Sequence, residues 1–135
     1  MYSIWWVRVG YLFALLLIAS GAAHALAGWP ELRQELLADG LRPDSAALGA
    51  AAAGWYFGSI CMFVFALIFA VVTRAVAAGQ PPRPLLRVPL LIGCGYLLFG
   101  VGGCVLRGVG AHFIAFATLG ILFAAWSRLG INRSA

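Results

Sequence analysis

Polar side chains interrupt this chain at only a few places. Long apolar runs occupy about 4–27, 47–72, 88–106 and 111–129, and each has roughly the 20 residues a membrane-crossing helix needs. Between the first two lies a polar stretch, 28–45. It holds every carboxylate side chain in the protein: Glu31, Glu35, Asp39 and Asp44. Between the second and third lies 73–87, broken by Gly79, Pro81, Pro82 and Pro84. Arg107, Gly108 and Gly110 mark a tight turn before the last run. The pattern predicts an all-α membrane protein, a four-transmembrane-helix antiparallel bundle forming one domain over 1–135.

The polar stretch has its own periodicity. Pro30 suits a first helical position and Gly40 a C-terminal stop. Leu32 and Leu36 are spaced i,i+4 with Leu37 beside them, and Arg33, Gln34 and Asp39 form a polar side. A short amphipathic helix between helices 1 and 2 is expected, lying on the membrane or capping the bundle. Asp44 and Ser45 are candidate N-caps for the second run. Pro89 falls in the expected first turn of the third run, where proline is tolerated.

Composition agrees: 64% of the 135 residues are hydrophobic and 10% charged, against about 25% charged in soluble domains. A cleaved signal peptide competes for the first run, with Arg8 as the basic region and Ala25-Leu26-Ala27 as the cleavage site. The apolar residues before Arg8 and the length of the run favour a retained span. The net charge of +5 comes from nine arginines and no lysine. They lie at the ends of the apolar runs and form no aromatic-interleaved basic face, which excludes nucleic acid as a partner. Arg8, Arg74, Arg83, Arg87, Arg128 and Arg133 fall on one side, and Arg33, Arg42 and Arg107 on the other. The positive-inside rule then places both termini and the 73–87 loop in the cytoplasm of a bacterial inner membrane, with 28–45 outside.

Small residues recur at steps of three and four in every run, as close helix packing in lipid requires. The expected contact rows are Gly10, Ala14, Leu17, Gly21, His24 and Gly28; Ala47, Ala51, Gly54, Gly58 and Cys61; Gly93, Leu97, Gly100, Cys104 and Arg107; and Ala111, Ala115, Thr118 and Ala125. Cys61, Cys94 and Cys104 read as packing residues. Cys94 and Cys104 would be about 15 Å apart on one helix, beyond disulfide reach.

No Asp, Glu or Arg lies deep within a run, which argues against proton-coupled transport and carboxylate chemistry. No metal site is expected. Two histidines remain. His24 and His112 would each lie roughly 5 Å below the outer boundary. Three readings stand. In the first, both histidines are interfacial residues hydrogen-bonded to backbone or to a loop carboxylate. A headgroup pocket could use His24, His112 and Arg107, lined by Trp55 and Tyr56. A haem could be held by both imidazoles.

Arg8, Gly10, Phe13, Ser20-Gly21 and His24, followed by Gly28-Trp29-Pro30 and Ala38-Asp39-Gly40-Leu41-Arg42-Pro43, resemble the opening of the DoxX-type family of small bacterial four-helix membrane proteins. The resemblance covers about the first 45 residues. It implies an accessory subunit of a redox enzyme or a member without known activity, and it carries over no catalytic residue. The expected role is a non-catalytic accessory or scaffolding protein binding a lipid or quinone-like molecule near the outer leaflet. Its partners would be membrane lipids and either another membrane protein or further copies of itself. The alternatives are a redox protein using His24 and His112 at a haem or quinone site, and a small transporter or channel.

Overall fold

A computed structural model describes residues 3–80 and 82–132; Pro81 and Arg133, used above as a breaker and a topology signal, lie outside them. The described chain is all-α, without a strand, and has four helical runs long and apolar enough to cross a membrane. Helix α1 spans Ile4–Ala23 and passes through a π-helical turn, His24–Gly28, into α2, Trp29–Ala38. Helices α3, Ala46–Ala77, α4, Pro82–Arg107, and α5, Ala111–Asn132, follow.

The amphipathic segment is helical, with Leu32, Leu36 and Leu37 half-buried and Glu31, Arg33, Gln34, Glu35 and Asp39 exposed. It is not a separate helix after a break. Pro30 has no N–H to give to the preceding turn. The π turn accommodates it: the N–H of Trp29 bonds to the His24 carbonyl five residues back, and the chain stays helical. Only 39–45 of the expected 28–45 loop is non-helical.

Helix ends follow local chemistry. Gly40, at φ +92°, stops α2 in a Schellman motif, with Leu41 N–H bonded to Leu36 O and Gly40 N–H to Leu37 O. Gly79 does the same for α3, with Gln80 N–H on Ala75 O. Ser45, not Asp44, caps α3 by accepting the Leu48 N–H at 3.2 Å. Asp44 instead pairs with Arg42 at 3.3 Å on the exposed loop, which contributes little.

The expected loop 73–87 is mostly helical. Helix α3 runs to Ala77, and α4 starts at Pro82. Pro82 and Pro84 lie in its first turn, where the missing N–H groups would have no partner anyway. Pro89 is consequently inside α4 rather than in its first turn.

The chain divides into two compact units, one of 14–67 and one whose described part is 3–13 and 68–132. In the 14–67 unit, α1 and α3 run antiparallel. Gly21 lies against Met62 and Phe63, and Gly28 against Trp55. In the other unit, Trp6 and Trp126 stack with centroids 4.3 Å apart. Each indole N–H donates to the other residue's carbonyl, at 3.3 Å from Trp6 and 3.0 Å from Trp126. Phe13, Phe69 and Phe123 pack edge-on or tilted around that pair. Thr73 is fully buried there, and its hydroxyl has no conventional partner among the described residues. It occupies the space a side chain at Gly10 would need.

Helices α4 and α5 form the closest backbone contact. A Cβ on Gly93 would lie 2.8 Å from Ala124 N, and one on Gly100 or Gly120 would also strike backbone of the facing helix. The expected rows fare differently. Gly10, Ala14, Leu17 and Gly21 are buried, and Gly93 and Gly100 face α5. On α5, however, Ala111, Ala115, Thr118 and Ala125 are exposed; Phe113, Ala117, Gly120 and Ala124 make the contact. On α3, Ala47 and Gly54 are exposed, and the buried row is Leu48, Ser59, Met62, Ala66, Phe69, Thr73 and Val76. Large side chains (Leu48, Met62, Phe69) alternate with small ones (Ser59, Ala66, Thr73) along that row.

Candidate functional site in the 14–67 unit

The sequence expectation concerned five residues. The structure gathers two of them, His24 and Trp55, into one contact. The His24 ring lies flat on the Trp55 indole, with centroids 4.0 Å apart and planes 6° from parallel. The Trp55 Nε1–H donates to the His24 carbonyl at 2.6 Å. That carbonyl begins the π turn, so it also accepts the Trp29 N–H. A carbonyl has two lone pairs, and both are used here. The side chain of α3 thus holds the widened turn of the neighbouring helix in place.

Two glycines make the approach feasible. A Cβ on Gly28 would lie 2.7 Å from Trp55 Cζ2, and one on Gly58 would lie 3.6 Å from His24 Cε1. Gly58 was expected in a contact row; its use here is to give the imidazole room.

Ser59, buried at the next turn of α3, fixes the ring's direction. His24 Nδ1 lies 2.9 Å from Ser59 Oγ, and Ser59 Oγ lies 3.3 Å from the Trp55 carbonyl. A hydroxyl has one hydrogen to give. Given to Trp55 O, it leaves Oγ to accept from Nδ1–H; given to Nδ1, at the shorter distance, it leaves the ring proton on Nε2, and the heavy-atom positions fit both tautomers. Nε2 has no partner among the described residues. Ser59 was missed from sequence, although it is the sole aliphatic hydroxyl between Ser45 and Thr73.

Tyr56 faces elsewhere. It is exposed, and its ring tilts against buried Trp29 at 6.0 Å. Trp29 also tilts against Trp55, at 6.5 Å. The aromatic set is therefore His24, Trp55, Trp29 and Tyr56, of which Trp29 had no predicted part in the site.

Arg107 and His112 belong to the other unit. Arg107 is the exposed last residue of α4. There Gly108, at φ +90°, ends the helix through its N–H bond to Cys104 O. His112 is exposed in the first turn of α5, with its ring centroid 3.9 Å from that of Phe113. Among the described residues no cluster of three or more His, Cys, Asp or Glu could hold a metal ion, and the three cysteines are free thiols. No protein family, curated protein or solved structure matches the chain.

Proposed function

We propose that the protein is a non-catalytic accessory or scaffolding subunit of a bacterial inner membrane, and that it holds an amphiphile with a hydrogen-bonding head, a lipid or a quinone-like molecule, at His24. The observation that carries this reading is the fixed imidazole. Stacking on Trp55 and the Ser59 contact set its plane, and Nε2 has no partner among the described residues, so it offers an acceptor in one tautomer and a donor in the other. A quinol or headgroup hydroxyl pairs with either form, and a quinone carbonyl with the Nε2–H form. A catalytic reading lacks support because the imidazole has no carboxylate beside it among the described residues. The six-to-three division of arginines supports cytoplasmic termini and an outer-leaflet position for His24. A DoxX-like accessory role to another membrane protein belongs to the same proposal.

The experiment is purification of the full chain in mild detergent, followed by solvent extraction and quantification of quinones and lipids. A quinone or a single lipid class retained by the wild type and lost from His24→Ala is the expected result. Equal retention by both proteins would sink the proposal. An absorption spectrum of the same sample tests the haem alternative. A Soret band lost on His24→Ala would replace the non-catalytic reading with a redox one.

A further inference from the structure

The unit of 3–13 and 68–132 brings together five exposed arginines: Arg8, Arg74, Arg83, Arg87 and Arg128. Its described part contains no carboxylate side chain, since all four lie between Glu31 and Asp44 in the other unit. None of the five arginines is in an ion pair among the described residues.

Packing contacts put four of them at one depth. Gly10 lies against Thr73, and Gly130 lies against both Trp6 and Leu86. Taking the Gly10–Thr73 contact as a reference level, Trp6 and therefore Gly130 and Leu86 lie about 6 Å toward the helix ends, at 1.5 Å rise per residue. Counting from these contacts, Arg74 comes about 1.5 Å above the reference, Arg8 and Arg128 about 3 Å, and Arg87 about 4.5 Å. Each of the four helices thus contributes one arginine to a layer about 3 Å thick, and Arg83 lies about 6 Å further out. Arg8 also sits over the exposed Trp5 ring, 5.1 Å from its centroid, an arrangement suited to the membrane–water interface.

We propose that this layer of Arg8, Arg74, Arg87 and Arg128, extended outward by Arg83, binds the phosphates of anionic phospholipid headgroups. Four exposed guanidinium groups at one level, without a carboxylate partner among the described residues, are placed to take anions from the membrane plane. Arginine meets a phosphate with two parallel N–H donors, which lysine cannot do. A zwitterionic lipid brings its own cation and neutralises the same phosphate less usefully.

The test uses the full chain, delipidated in mild detergent and titrated with phosphatidylglycerol or phosphatidylcholine. Native mass spectrometry counts retained lipids, and thermal unfolding follows stabilisation. Wild type is expected to retain phosphatidylglycerol over phosphatidylcholine on the order of tenfold, and to be unaffected by inorganic phosphate at the same concentration. The Arg8→Gln, Arg74→Gln, Arg87→Gln, Arg128→Gln variant should lose that preference. Arg33→Gln with Arg42→Gln, in the other unit, should keep it. Arg→Lys at the same four positions preserves the charge that orients the chain, so it reads binding even where the Gln variant fails to insert. It should weaken retention several-fold. No lipid preference in wild type, equal loss in the Arg33/Arg42 variant, or full retention in the Lys variant would each overturn the proposal.

Discussion

Trp55 meets His24 in two ways, through its ring face and through its indole N–H. These can be separated. Trp55→Phe keeps an aromatic face and removes the donor, and should cost about 0.5–1.5 kcal/mol in reversible unfolding. Gly28→Ala drives a methyl into a rigid ring edge and should cost about 1–3 kcal/mol. Phenylalanine lacks the Cζ2 atom that the methyl strikes. The double variant should therefore lose less than the sum of the single losses, and additive losses would show that the two residues do not meet. His24 was legible in the sequence as a histidine on a small-residue row. Ser59 was not, because a lone serine in an apolar helix more often bonds its own backbone. Ser59 meets its own backbone here and His24 as well.

At the scale of elements, the number and order of the helices follow from apolar run length and from Gly40, Gly79 and Gly108. Helix phase does not. In lipid an outward leucine is as well solvated as an inward one, so hydrophobicity carries little information about which face packs. The small-residue rule located the α4 face at Gly93 and Gly100, where backbones touch. It missed the packed face of α5, where exposed Ala111 and Ala115 simply face outward. The π turn was equally hidden, because Pro30 read naturally as a helix start. The α4–α5 contact makes a differential prediction. Gly100→Ala or Gly120→Ala would press a methyl on opposing backbone and should destabilise by about 1–3 kcal/mol. Gly95→Ala and Gly102→Ala meet nothing within 4 Å and should stabilise by about 0.5–1 kcal/mol. Unfolding in graded SDS, followed by helical circular dichroism, compares all four.

For the whole molecule, the outward apolar surface implies that the chain leaves membranes only with detergent. Cys94 offers a local check. It is exposed near the middle of α4, between the exposed Leu91 and Leu98. A membrane-impermeant maleimide should leave Cys94 unlabelled in intact vesicles and react fully once SDS unfolds the helix. Rapid labelling in sealed vesicles would place this part of α4 in water.

The reciprocal tryptophan pair joins residues 120 positions apart. At roughly 5–20 residues per second of synthesis, on the order of ten seconds separate the emergence of Trp6 from that of its partner. Throughout that interval the Trp6 indole N–H lacks the carbonyl it bonds in the finished fold. A chain halted before α5 has no Trp126, and so has neither the stacked ring nor the two reciprocal hydrogen bonds that fasten its first helix.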